Sequence, residues 1–284
     1  MLSIRKTILV LFGVILGTLS LQAQVMDTPP LDGVYDKIHI KNREPIPYAP
    51  LREADAMWKH RTWRVIDFRE KINQPFYYPV TEIDDRKSFM QVLLDGIKEG
   101  TITAFEAGDD EFLTPYSWEE FSKTMSDTIH QTLTRTEPPY DTYDTLIIKK
   151  FDPTSIMKIR LKEDWFFDKQ RSVMDVRILG ICPIIDEFEA DGVTFKGSKA
   201  LFWIYFPQAR KVFAGAEVFN RFNDAARLSY DDVFYKRMFN SYIYKESNVY
   251  DRFIMEYAKG MDALLESERI KNNIFLYEHD LWEY

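Results

Sequence analysis

The sequence predicts an α+β protein in which small antiparallel sheets pack against helices, preceded by an extended N-terminal arm. Two long runs with strand character, residues 156–167 and 172–188, flank a short polar turn, which is typical of an antiparallel pair. Residues 86–99 instead place apolar side chains at helical spacing. Prolines crowd residues 24–50, and proline favours an extended backbone.

Residues 1–23 have the features of a signal peptide. Arg5 and Lys6 form a positively charged start, a mostly apolar run follows, and Ala23 offers a small residue for cleavage. The apolar run is shorter than the ~20 residues that cross a bilayer. Lipid attachment needs a cysteine just after this run, and the only cysteine is Cys182. We therefore expect an exported, periplasmic chain without direct membrane insertion.

Residues 24–50 are predicted to form the extended arm. Five prolines restrict its backbone, while its apolar content exceeds that of a disordered linker. Such an arm is expected to lie on its own body or on a neighbouring molecule. Its candidate partner-binding residues, together with one tryptophan of the following segment, are Tyr35, Ile38, Ile40, Ile46, Tyr48 and Trp63.

The N-terminal half, residues 51–135, is predicted to be mainly helical. A first helix is expected from residue 51 to the Gln74-Pro75 pair, because several apolar residues fall near one helical face: Leu51, Ala54, Trp58, Val65 and Ile66. A second helix is expected over residues 86–99, with Gly100 at its end. Residues 101–105 are expected to form a short strand.

Ser117 is expected to begin the third helix of this half. Ser117 and Glu120 have the spacing of a capping box, in which each side chain bonds the backbone N–H of the other residue. The apolar residues Phe121, Met125 and Ile129 continue the helical pattern.

The C-terminal half, residues 136–284, is predicted to contain more strands. Besides the antiparallel pair, the expected elements are a polar turn at 136–145, a buried strand at 201–206 ended by Pro207, a helix at 208–214, a strand at 217–219, a helix beginning at Ser229 and a final helix at 249–268. The run Ser229-Tyr-Asp-Asp232 repeats the order of Ser117-Trp-Glu-Glu120. Because a strand and a turn precede the serine in both places, we infer an ancient duplication of a helix-strand-helix unit.

No arrangement typical of catalysis, cofactor binding or metal binding is found in the sequence. The glycines form no phosphate-binding loop, the four histidines are isolated, and no serine lies in a Gly-x-Ser-x-Gly motif. The paired acids Glu119-Glu120 and Asp231-Asp232 lie in predicted first turns, where they favour the helix dipole. Residues 109–111 could hold a hard cation, although their spacing differs from that of an EF-hand loop. We expect no catalytic residues, no cofactor and no metal.

The composition excludes some partners and favours others. Removal of Arg5 and Lys6 with the leader takes the formal net charge from −8 to −10, so nucleic acid and anionic lipid would repel the chain. Cys182, in an apolar run, is expected to be buried. Aromatic residues make up 15% of the chain, which favours a protein that contacts other proteins.

The sequence is also compatible with two other functions. A periplasmic module that binds glycan or peptidoglycan would use exposed tryptophans as stacking platforms, the candidates being Trp58, Trp63 and Trp118. Core packing is the competing interpretation, and the apolar register favours it for Trp58. A periplasmic hydrolase would use one of the carboxylate pairs, but a catalytic cluster is missing.

The chain resembles the gliding-motility protein N family of Bacteroidota over essentially the whole mature sequence. The most specific runs are Ala54-Asp-Ala-Met-Trp58 and Lys245-Glu-Ser-Asn-Val-Tyr-Asp-Arg252. Further matching runs lie at residues 32–35, 45–58, 63–71, 77–79, 99–105 and 201–207.

The resemblance implies a periplasmic component of the type IX secretion system. In that family the protein associates with an outer-membrane lipoprotein, gliding-motility protein K, which holds it at the outer membrane. Neighbouring copies form large rings with this lipoprotein, linked to the inner-membrane motor proteins L and M. The family carries no catalytic residues that could be transferred to this chain.

Overall fold

The computed structural model describes residues 34, 39, 42–83, 85–108, 110–134, 142–149, 151–188, 194–221, 223 and 225–281. The predicted signal peptide lies outside the described residues, as do Tyr35, Ile38 and Ile40 of the arm and the prolines of the predicted turn at 136–145. Residues 38–284 form one compact unit.

The described strands form one large and two small antiparallel sheets. Their bounds are β1 Ala56–Asp67, β2 Ala104–Phe105, β3 Asp127–Thr134, β4 Thr142–Lys149, β5 Lys158–Asp168, β6 Val173–Phe188, β7 Phe195–Ala200, β8 Trp203–Tyr205, β9 Glu217–Val218, β10 Leu228–Ser229 and β11 Tyr242–Glu246. The large sheet has the order β11-β1-β5-β6-β8-β2, with β7 also paired to β6. Strands β3 and β4 pair with each other, as do β9 and β10. Because β1 lies between β5 and β11, the two predicted halves share one sheet.

Seven helices accompany these strands in the described part of the chain. They are α1 Gln74–Tyr77, α2 Phe89–Lys98, α3 Trp118–Met125, α4 Phe206–Gly215, α5 Tyr230–Tyr235, α6 Ile254–Tyr257 and α7 Met261–Asp280. Short 3-10 turns cover Glu53–Asp55 and Pro153–Ser155. The predicted α+β class is confirmed.

The main core lies between one face of the large sheet and helices α1, α2, α4 and α5. Its centre is aromatic, with fully buried rings that contact one another: Phe76, Phe89, Phe206, Phe213, Tyr230 and Phe234. A second cluster covers the opposite face around Trp63, Cys182 and Trp203. A third joins β11 to α6 and α7 through Ile243, Ile254, Ile270 and Ile274.

The first predicted helix is wrong, because most of residues 51–73 form strand β1 and a 3-10 turn. Strands β5 and β11 pair with β1 on its two sides, and Trp63 lies opposite Lys162 and Lys245. Residues from Trp63 to Ile66 are buried without interruption. A strand covered on both faces lacks the alternation of apolar and polar residues that would identify it. The charged residues of β1, which lie beside neighbouring strands, therefore had the spacing expected of the polar face of a helix.

The final predicted helix differs in its bounds. It is two helices, α6 and α7, separated by a segment in which Gly260 has φ 60°, a conformation that glycine tolerates. Helix α7 continues to Asp280 and buries Ser267, Ile270 and Ile274. Three apolar residues in the first turns of α7 are exposed: Met261, Leu264 and Leu265.

Two further predictions fail near residue 130. Helix α3 ends at Met125, and Ile129 belongs to strand β3, where it pairs with Ile147. Residues 142–145, expected in a turn, belong to β4. Residues 127–134 include three threonines and one isoleucine, and such β-branched residues favour strands.

Other elements match their predictions. Helix α2 lies within residues 86–99, strands β5 and β6 pair as expected, and Gly100 follows α2 with φ 73°. Strand β8 is shorter than expected because Phe206 and Pro207 already begin α4. The repeated helix-strand-helix order is present, but β2 joins the large sheet whereas β9 joins a small one. The inferred duplication therefore stays a hypothesis.

Candidate interaction surfaces

The acidic loop after β2 packs onto the large sheet. The Trp63 indole N–H donates to Asp110 Oδ2 at 2.6 Å, and Lys162 Nζ lies 3.3 Å from the same oxygen and donates to the Asp110 carbonyl. Phe112 lies beside Gly180, where an added Cβ would come within 2.6 Å of the ring. No group of three metal-ligating side chains occurs among the described residues. The described part of this loop therefore has a structural role.

The paired acids at the helix starts are held by caps and cations. Ser117 with Glu120 and Ser229 with Asp232 both form the predicted capping boxes. Asp231 receives two hydrogen bonds from the Arg210 guanidinium, at 2.8 and 3.0 Å, and both side chains are buried. These contacts stabilise the starts of α3 and α5.

A buried ion cluster lies where the main core meets the third cluster. Glu163 is fully buried, with its carboxylate 3.1 Å from both the Arg64 and the Arg237 guanidinium groups. Both guanidinium groups also lie over the Trp165 ring. This cluster was not predicted from the sequence, where its one signal is a glutamate at the core-facing strand position between Leu161 and Trp165.

Cys182 is the remaining nucleophile to consider. It is fully buried in the second cluster, and burial raises the pKa of its thiol to about 12. A thiol with so high a pKa stays protonated and unreactive near neutral pH.

The described end of the arm contacts its own body. The Tyr48 ring lies 4.2 Å from the Arg210 guanidinium and 5.1 Å from that of Arg177, and it stacks on Tyr235. Arg177 donates to the Ala49 carbonyl at 2.5 Å. Burial raises the pKa of Tyr48, and the Arg210 charge opposes this rise.

Arg43 adds an ion pair to the same contact. Its guanidinium lies 2.7 Å from the Asp232 carboxylate, at the beginning of α5. In contrast, the predicted partner-binding residue Ile46 has 52% of its surface exposed. Of the two candidate residues in this described stretch, Ile46 is therefore the one left open to a partner.

Trp63 does not have the exposure that a partner-binding role requires. Only 7% of its surface is accessible, and Lys162 and Lys245 lie over its ring at 6.0 and 4.7 Å. The loop that carries Asp110 covers this ring and leaves little of it open to a partner.

Two of the three tryptophans proposed as glycan platforms are covered. Trp58 stacks on Tyr277 at 4.4 Å and packs against the third cluster. Trp63 is buried, so Trp118, with 42% exposure, is the only exposed one of the three.

A first apolar surface surrounds Phe219, and we call it the Phe219 groove. It consists of two pockets of about 520 Å³ each, which share Pro75, Phe219 and Arg221 as walls. The remaining lining comes from α1, the segments before and after it, β9, β10, α5 and the residues that follow β9 and α5: Lys71, Ile72, Gln74, Phe76, Tyr78, Pro79, Val80, Ile83, Arg86, Val218, Asn220, Leu228, Val233 and Met238.

A second apolar surface is the outer face of α7. It carries five exposed apolar side chains: Met261, Leu264, Leu265, Phe275 and Leu276. Exposed apolar patches of this kind mark sites of protein contact. None of the described helices is long and apolar enough to cross a membrane.

In a comparison with family models, residues 51–283 match the gliding motility associated protein GldN. The chain belongs to this family. No curated protein matches it at a significant level. The predicted family resemblance is therefore confirmed.

The GldN match covers both apolar surfaces but not the arm. The Phe219 groove and the outer face of α7 lie within residues 51–283, whereas Arg43, Ile46 and Tyr48 precede them. The family is a structural gliding-motility component and is not a known enzyme family.

Proposed function

We propose that this chain is a non-enzymatic, periplasmic structural subunit of the type IX secretion and gliding-motility machinery. It forms a ring-like complex with an outer-membrane lipoprotein of the gliding-motility protein K type, and this lipoprotein holds it at the outer membrane. The inner-membrane motor proteins L and M contact the ring. Membership of the GldN family is the observation that carries this proposal.

The distribution of apolar surface supports the assembly role. A ring of identical subunits requires a head-to-tail interface, in which two different surfaces of each copy meet. The Phe219 groove and the outer face of α7 belong to different elements and both expose apolar side chains. A subunit that also contacts a lipoprotein needs such separate surfaces.

The charge and the leader support the location. Residues 1–23 have the pattern of an export signal, and an acidic chain is repelled by anionic lipid. Peripheral attachment through a protein partner agrees with both features. Expressed without the partner, the mature chain is expected in the soluble periplasmic fraction.

Affinity purification tests the assembly role. The tagged chain is isolated from gently solubilised envelopes, its companions are identified by mass spectrometry, and the particles are imaged by electron microscopy. We expect ring-shaped particles that contain the lipoprotein. Recovery of the chain alone, with secretion unchanged when its gene is deleted, would contradict the proposal.

A module that binds glycan is the second candidate, and the exposure of Trp118 favours a direct test of it. Sedimentation with purified peptidoglycan, compared between the native chain and Trp118→Ala, measures this activity. Loss of sedimentation in the variant would support the module over the assembly subunit.

A further inference from the structure

The Phe219 groove has the shape of a site for side chains of another molecule. Phe219, with 47% of its surface exposed, stands between two pockets of similar size. Apolar side chains continue around it and are themselves exposed: Ile72, Tyr78, Val80, Ile83 and Met238. Singly exposed apolar residues are common, but a contiguous patch with pockets marks an interaction surface.

Three cations lie at this apolar surface. Lys71, Arg86 and Arg221 have no carboxylate partner within the described ranges of the chain. The Arg86 guanidinium lies 5.4 Å from the Phe219 ring, and Arg221 donates to the Lys71 carbonyl at 3.1 Å. They are unlike the buried arginines, which are paired with carboxylates.

The occupant follows from the two adjoining pockets and the charge. Alternate residues of an extended chain point to the same side, so an extended segment presents apolar side chains to both pockets, which share Phe219 as a wall. Carboxylates at adjoining positions can then meet Lys71, Arg86 and Arg221. A symmetric dimer would instead bring the three cations against their own copies, which is unfavourable.

We propose that the Phe219 groove binds an extended, acidic segment of a partner protein through two apolar side chains. This inference rests on the proposed function and names the chemistry of one partner contact. The positive charges orient the segment, and the pockets select its apolar side chains.

Fluorescence anisotropy with synthetic peptides tests the groove directly. The probe is a short labelled peptide in which leucine alternates with aspartate, and the control peptides replace aspartate by lysine or leucine by serine. We expect binding of the first peptide only, and weaker binding as ionic strength rises from about 0.05 M to about 0.5 M. Equal binding of the aspartate and lysine peptides would overturn the proposal.

Matched variants place the binding site. The double variant Arg86→Glu with Arg221→Glu is expected to weaken binding of the aspartate peptide about tenfold or more. The control double variant, Lys98→Glu with Lys123→Glu, carries the same charge change at exposed positions outside the groove and is expected to bind normally. Equal affinities of the two double variants would overturn the assignment.

Phe219→Ala separates the pockets from the charges. Because this side chain is half exposed, the variant is expected to keep its melting temperature and lose most of the affinity for the leucine peptide. Light scattering of the native chain covers the remaining alternative. Self-association that the Arg86→Glu, Arg221→Glu variant loses would make a second copy the occupant and would contradict the proposal.

The envelope purification separates this inference from the proposed function. If the native chain and the groove variant both enter the ring complex and both bind the peptide equally, the groove assignment fails and the function stands. If the native chain enters no complex but peptide binding follows the expected pattern, the assembly function fails and the groove assignment stands.

Discussion

Helices α3 and α5 begin with the same local arrangement and end in different surroundings. Each starts with a serine whose hydroxyl accepts from the backbone N–H three residues on, at 3.3 Å for Ser117 and 3.2 Å for Ser229. Ser117 and Glu120 are exposed, whereas Ser229 and Asp232 are buried. A local sequence signal therefore determines where each helix begins, while tertiary contacts decide how much that start contributes to stability.

Removal of a buried charge is expected to have the largest effect. Asp231→Asn leaves the buried Arg210 guanidinium without its carboxylate, and broken buried pairs cost roughly 3–5 kcal/mol of unfolding free energy. The matched control is Glu119→Gln at the equivalent exposed position of α3, with an expected change within ~0.5 kcal/mol. Urea unfolding measures both, and equal losses would show that the two helix starts are energetically alike.

Replacement of the two capping serines is expected to give a smaller difference in unfolding free energy. Ser229→Ala is expected to cost about 2 kcal/mol, because the Asp232 N–H that it leaves unpaired is buried, and Ser117→Ala about 0.5–1 kcal/mol. Thermal unfolding of the two variants gives the comparison. A larger loss for Ser117→Ala would contradict the role given to burial.

Helix α5 also differs from α3 in its contact with the described end of the arm. Tyr48→Ala removes the ring that lies on Arg210 and Tyr235, and we expect a loss of about 1–2 kcal/mol. Ile46→Ala, at an exposed position of the same segment, is the control and is expected to leave unfolding unchanged. If both variants melt like the native chain, the described end of the arm does not stabilise the body.

The smallest of these effects is expected from acid, which should weaken the cap at the start of α3. Hydrogen bonds from the Ser117 backbone and side chain lower the pKa of Glu120 below its usual 4.5. A carboxyl group with a lowered folded-state pKa stabilises the fold above its unfolded pKa, and this contribution disappears as pH falls through the lowered value. Amide hydrogen exchange of α3 is expected to accelerate below about pH 4.5 in the native chain but not in Glu120→Gln, after correction for intrinsic exchange rates.

Local chemistry made several elements predictable. The spacing of Ser117 and Glu120 predicts a cap because the atoms that bond are three residues apart, and the turn after Asp168 predicts the pairing of β5 with β6. Strand β1 could not be predicted in this way, since its partners β5 and β11 lie about 100 and 180 residues along the chain. A periodic pattern does not record which faces distant segments will cover.

The interaction surfaces show the same limit. Trp63 and Ile46 are both apolar residues near the arm, but only the fold shows that a distant loop covers Trp63. The Phe219 groove joins residues from α1 and β9 that are more than 130 positions apart. Because its two sides come from distant segments of the chain, the groove could not be predicted from the pattern of any one segment.

The fully buried carboxylate of Glu163 divides one face of the large sheet into two unequal parts. On one side lies the aromatic core beneath α1, α2, α4 and α5, and on the other the small cluster that holds α6 and α7 against β11. The charged groups of Glu163, Arg64 and Arg237 separate the apolar contacts of the small cluster from those of the aromatic core. Detachment of α6 and α7 would therefore leave the aromatic core packed. We therefore expect the C-terminal helices to open and close as a separate cooperative unit while the rest of the molecule remains folded.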